Sequence, residues 1–178
     1  MGISLFFLLG LIGIMFLLIF KGKILSRIKQ EGRWVQTLQK KSWFESPYSS
    51  GIILFLWNTL MTGVVAFFIF ILTKVNIPFL HLVILGIGTI ISIWAWSIFN
   101  IAWIGSRKNR FKMASIGSSF YAILGVYALY RYLTLKPSYP GEDLFMAALG
   151  LMAVLIIAVV ALLTCFVFTG FPKKEQLY

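Results

Sequence analysis

Long apolar runs with few charges decide what this chain can fold into. A helix that crosses the hydrocarbon core of a bilayer needs about 20 apolar residues, at about 1.5 Å each. Five stretches of the sequence meet that length: residues 2–20, 51–73, 79–104, 113–132 and 144–169. The sequence therefore predicts an all-α integral membrane protein, with residues 1–178 forming one bundle of five transmembrane helices.

The composition excludes the soluble classes of protein. Hydrophobic residues make up 60% of the chain and charged residues 12%, whereas a soluble domain is about half apolar and about a quarter charged. A soluble enzyme, a disulfide scaffold and a nucleic-acid-binding module are all poor fits to this composition. The net charge of +11 is better explained by basic residues that flank membrane spans than by a nucleic-acid partner.

The first apolar run predicts a membrane anchor rather than a cleaved signal peptide. It lacks a basic region before it and is longer than the apolar part of a signal peptide. Lys21, Gly22 and Lys23 follow it, where a cleavage site would need small residues.

The distribution of Lys and Arg predicts the orientation, because cytoplasmic loops are enriched in these residues. With the N-terminus outside and the C-terminus in the cytoplasm, 13 of the 16 basic residues fall inside: Lys21, Lys23, Arg27, Lys29, Arg33, Lys40, Lys41, Arg107, Lys108, Arg110, Lys112, Lys173 and Lys174. Only Lys74, Arg131 and Lys136 fall outside. We expect a multi-pass protein of a cell membrane, of the bacterial plasma membrane type.

The one sizeable polar stretch, residues 21–50, is predicted to be a basic amphipathic cytoplasmic segment after the first helix. Its apolar residues Ile24, Ile28, Val35 and Leu38 recur at roughly helical spacing. Such a segment can lie on anionic lipids of the inner leaflet or dock on a partner. An ordinary solvated linker explains the composition equally well.

The sequence contains no standard catalytic, metal or cofactor motif. The single histidine, His81, excludes a two-histidine site within the chain, and the five acidic residues all lie outside the apolar runs. The lone cysteine, Cys165, is interpreted as a small core residue. We therefore expect a protein that is not an enzyme and that carries no cofactor and no metal.

Two groups of polar residues are the candidate sites. The first is a set of small polar residues on the middle spans, predicted to lie in the cytoplasmic half: Asn58, Thr62, Ser97, Asn100 and Ser118. Buried Asn and Ser side chains hydrogen-bond across helix contacts, so packing is favoured over a substrate or ion path. The second is an outer group that anchors the chain or binds an anion: Tyr127, Arg131, Glu142 and Asp143.

Two functions compete on this basis. The first is a non-enzymatic accessory or assembly subunit of a larger membrane complex, which would explain the short loops and the missing catalytic groups. The second is a small oligomeric facilitator or channel with a path along the Asn- and Ser-lined helices. Both predict a bilayer and another membrane protein, or a second copy of the chain, as partners.

Overall fold

The described part of the computed structural model is helical and contains no strand. It covers residues 12–13, 15–16, 19–26, 32–72, 74, 80–137, 139 and 143–172. A helical segment over residues 19–26 is followed by a short helix, a 3₁₀ turn and four long helices. These are α1 (Arg33–Gln39), the 3₁₀ turn (Ser42–Glu45), α2 (Pro47–Leu72), α3 (Leu80–Ala102), α4 (Arg107–Leu133) and α5 (Phe145–Gly170).

Among the described residues, four helices are long and apolar enough to cross a membrane: α2, α3, α4 and α5, with 26, 23, 27 and 26 residues. These four helices confirm the prediction of a helical membrane bundle. Most of the first predicted span, residues 2–20, lies outside the described residues. The described positions 12–13, 15–16 and 19–20 within it are helical.

Two of the long helices begin before the apolar run that predicted them. Helix α2 starts at Pro47 rather than at residue 51, and proline suits the first helical position because its missing N–H has no partner there. Helix α4 starts at Arg107 rather than at residue 113. Ser106 precedes it, and its side chain accepts a hydrogen bond from the Asn109 N–H at 3.4 Å.

The basic segment after the first predicted span buries several of its apolar side chains in the core. Leu25 and Val35 are each 1% exposed, and Phe44 is 4% exposed. The Phe44 ring lies 5.8 Å from the rings of both Phe99 and Trp103. Apolar side chains of the described part of residues 21–50 therefore cover one end of the bundle, while Trp34, Lys40 and Lys41 of the same segment are exposed. Ile28, on the predicted apolar face, lies outside the described residues.

That end of the bundle is called the basic end here; it carries residues 32–46, the loop 103–106 and the last turn of α5. Helices α4 and α5 form the most extensive pair, and α2 packs against α4. The approach of α2 to α4 depends on glycine, because a Cβ added to Gly117 would collide with the Leu54 side chain.

Candidate functional site

Asn58 lies at the centre of a set of contacts that joins all four long helices. It is 0% exposed. Its Nδ2 donates to the Gly117 carbonyl oxygen on α4 at 2.9 Å and to the Cys165 Sγ on α5 at 3.5 Å. Its Oδ1 accepts the indole N–H of Trp96 on α3 at 2.8 Å. Both donor hydrogens and the amide oxygen of Asn58 are thus used between helices.

Asn100 forms a second centre, nearer the basic end. It is also 0% exposed. Its Nδ2 donates to the carbonyl oxygens of Phe168 and Phe171, the latter at 2.7 Å. The last carbonyls of a helix have no partner within the helix, so Asn100 satisfies groups at the C-terminal end of α5.

Arg110 completes the second centre from the first turn of α4. It is only 4% exposed. Nη1 donates to the backbone oxygen of Asn100 at 3.1 Å and to its Oδ1 at 3.3 Å, and Nη2 donates to the Trp103 carbonyl oxygen at 3.0 Å. The guanidinium therefore holds the end of α3 against the start of α4.

Lys21 reaches the same helix end from the helical segment 19–26. Its Nζ donates to the carbonyl oxygens of Val167 and Phe171, the latter at 2.8 Å. A cation at the C-terminal end of a helix is favoured by the helix dipole. Burial, together with the nearby charge of Arg110, lowers the pKa of Lys21 to about 8.

The other predicted members of the polar cluster lie close by but take smaller parts. Ser97 donates to the Ile93 carbonyl at 2.7 Å and Ser118 to the Ser115 carbonyl at 3.3 Å, so both hydroxyls bond to their own helix. Thr62 is half-buried. The hydrogen bonds between helices thus group around two asparagines, Asn58 and Asn100.

The outer group stays on the surface. Tyr127 is 60% exposed, and Arg131 is exposed as well. Asp143 Oδ1 accepts the Phe145 N–H at 2.8 Å, at the start of α5. Glu142 lies outside the described residues, and within them no ion pair joins Arg131 to Asp143.

Sequence reasoning missed four of the residues that build the two centres: Lys21, Trp96, Arg110 and Cys165. The two cations were counted only for their side of the membrane, and Trp96 was not singled out. One usable signal was present for Arg110. Residues 107–112 contain four cations. Successive residues of a helix point in different directions, so one of these cations can face the inside of the bundle.

Within the described part of the chain, no three His, Cys, Asp or Glu side chains come together as a metal site. His81 is exposed on α3. A shallow, open depression of about 520 Å³ lies on α4, away from both asparagine centres. Its lining is Ala122, Ile123, Val126, Tyr127 and Tyr130.

Comparison with known proteins gives no match to any family model, any characterised protein or any solved structure.

Proposed function

We propose that this chain is a non-enzymatic multi-pass membrane protein that acts as an accessory or assembly subunit of a larger membrane complex. In this proposal it has five spans, with residues 2–20 as the first, an outside N-terminus and a cytoplasmic C-terminus in a plasma membrane of bacterial type. The clustering of basic residues at one end of the bundle supports that orientation.

The observation that carries the proposal is the full use of Asn58. Its amide hydrogens and oxygen bond to Gly117, Cys165 and Trp96, which lie on three other helices. A side chain that lines an aqueous path needs free donors or acceptors for water or solute. An asparagine with saturated bonds and 0% exposure instead fixes the rotation of the helices around it.

The outward faces supply the surface that a subunit requires. Phe67 on α2 is 60% exposed, Ile90 on α3 is 68% exposed and Met146 on α5 is 74% exposed. Apolar surface of this kind suits lipid and also suits the transmembrane helices of a partner, because both are equally apolar.

The competing proposal, an oligomeric facilitator, makes a different prediction for the single cysteine. Cys165 Sγ lies 3.5 Å from Asn58 Nδ2 and is 0% exposed. If the centre is dry packing, a water-soluble maleimide leaves Cys165 unmodified in vesicles until detergent denatures the protein. If the centre lines a path, the reagent modifies Cys165 in the native state.

A positive control uses the exposed loop at the basic end. In a Cys165→Ala background, Ser106→Cys places the only thiol at an exposed position and should react at once in open vesicles. Labelling of native Cys165 at the rate of this control would overturn the packing interpretation.

The subunit proposal itself is tested by gentle purification of the tagged full-length chain from its native membrane. We expect one membrane protein to co-purify at a fixed ratio. Recovery of a single species composed of this chain alone would contradict the subunit proposal and favour a homo-oligomeric protein.

A further inference from the structure

The start of α4 has an unusual charge. The positive end of a helix dipole favours acidic side chains in the first turn, yet the first turn of α4 has none. The cations Arg107, Lys108 and Lys112 are all exposed there. The backbone N–H groups of Asn109 and Arg110 bond to the Ser106 side chain and carbonyl. Those of Arg107 and Lys108 lack partners within the helix, so two backbone donors lie beside the exposed cations.

A buried donor without an acceptor lies beside this helix start. Trp103 is 2% exposed, and within the described part of the chain its Nε1 has no hydrogen-bond partner. Burying such a donor without an acceptor is costly. Nε1 faces Gly105, since a Cβ built on that glycine would lie 2.9 Å from it. Gly105 directly precedes Ser106, the N-cap of α4.

We propose that the first turn of α4 and the loop 103–106 form a binding site for a phosphate oxyanion, supplied by the headgroup of an anionic lipid. Arg107 and Lys108 provide charge, and their backbone N–H groups provide donors. The Trp103 indole N–H is the third kind of donor, and no side chain on Gly105 stands between it and a headgroup oxygen at this loop. The adjacent end of α3 places this loop at the membrane surface, where headgroups lie.

This site rests on the proposed membrane placement of the chain, but it does not depend on a partner subunit. Its failure would therefore leave the subunit proposal untouched, and the absence of a co-purifying protein would leave this site untouched.

The test titrates the purified full-length chain, in an uncharged detergent, with three probes. These are short-chain phosphatidylglycerol, short-chain phosphatidylcholine and inorganic phosphate, and the rise in melting temperature with concentration gives the apparent affinity of each. We expect saturable stabilisation by phosphatidylglycerol and much weaker effects from the other two. Equal effects of the two lipids would overturn the proposal, and equal affinity for inorganic phosphate would overturn the lipid assignment.

A matched pair of charge variants locates the site. Each cation beside an anionic headgroup is worth about fivefold in affinity, so Arg107→Gln with Lys108→Gln should weaken binding about 25-fold. The control removes two exposed cations elsewhere at the same end, Lys40→Gln with Lys41→Gln, and should change the affinity little. Equal losses in the two double variants would show a diffuse field rather than a site and would overturn the proposal.

A matched pair of tryptophan variants tests the buried donor. Trp103→Phe keeps a ring but removes the N–H, and should weaken phosphatidylglycerol binding about tenfold. Trp57 also has a buried Nε1 without a partner but lies within α2, so Trp57→Phe should leave the affinity unchanged. Equal binding by Trp103→Phe and the unmodified chain would contradict the assigned role of the indole. If Trp103→Phe does not fold, the charge variants decide the proposal alone.

Discussion

The basic end and the opposite end of the bundle are held together in different ways. Helix α2 buries Ser50, Gly51, Leu54 and Asn58, all in its first half, and the buried residues of α3 begin only at Ser92. Towards the opposite end these two helices expose large side chains such as Phe67 and Ile90. Lipid tails are as apolar as these side chains, so exposure to lipid is not penalised. The helices therefore join where polar and small residues meet a buried aromatic cluster, and not along the lipid-facing apolar surface.

The helices α4 and α5 differ from the others, because small residues keep them in contact towards the opposite end as well. It remains packed towards the opposite end, where Gly125, Ala128 and Ala158 are buried. A Cβ built on Gly125 would lie 3.6 Å from that of Ala158. Small residues thus allow close contact without any polar group.

The largest difference between the two ends is expected for phenylalanine truncation. Phe44→Ala removes a ring that is 4% exposed and packed between Phe99 and Trp103, which should destabilise the fold by about 3 kcal/mol. Phe67→Ala, at a lipid-facing ring that is 60% exposed, should change stability by less than about 1 kcal/mol. Denaturation curves in detergent measure both. Equal losses of stability in the two variants would contradict this contrast and would show that residues 32–46 contribute little to the core.

A smaller difference is expected for two helical glycines. A Cβ at Gly117 would collide with Leu54, so Gly117→Ala should cost about 1–3 kcal/mol. Gly150 has nothing within 4 Å of an added Cβ, so Gly150→Ala should stabilise α5 by about 0.5–1 kcal/mol. Melting curves of the two variants should shift in opposite directions. A stabilised Gly117→Ala variant would show that α2 and α4 are less closely packed than described.

The smallest effect concerns the pH dependence of the basic end. Lys21 has a pKa of about 8 in the folded protein, against 10.5 as its ordinary value. Between these values the unfolded chain binds more protons at Lys21, so the contribution of Lys21 to stability should rise from pH 8 towards 10.5. That gain is lost as pH returns to 8, and the contribution is constant at lower pH.

The control for this effect lies at the opposite end. Lys21→Met should flatten the rise, whereas Lys136→Met, at an exposed lysine, should keep it. Melting temperatures across the pH range compare the slopes, and an unchanged slope in Lys21→Met would assign the rise to another group.

The sequence alone predicted several features correctly. Runs of apolar residues indicated the helical class and the approximate positions of α2 to α5, because crossing lipid depends on local length and composition. It also singled out Asn58 and Asn100, because polar side chains within apolar runs are easily recognised along the chain. The outer group was less informative, because an exposed Arg131 and an end-capping Asp143 are compatible with many folds.

Tertiary structure alone decided which polar groups meet. Asn58 bonds to Trp96, Gly117 and Cys165, which are 38, 59 and 107 residues away in sequence, and Lys21 reaches the last turn of α5 across 150 residues. It also decided that Arg110 faces inward, and that Val35 and Phe44 belong to the core. Apolarity and charge act locally along one helix, whereas a hydrogen bond between helices depends on how each is rotated and tilted against its neighbours. That geometry depends on all the contacts of the bundle at once, so no single stretch of sequence determines it.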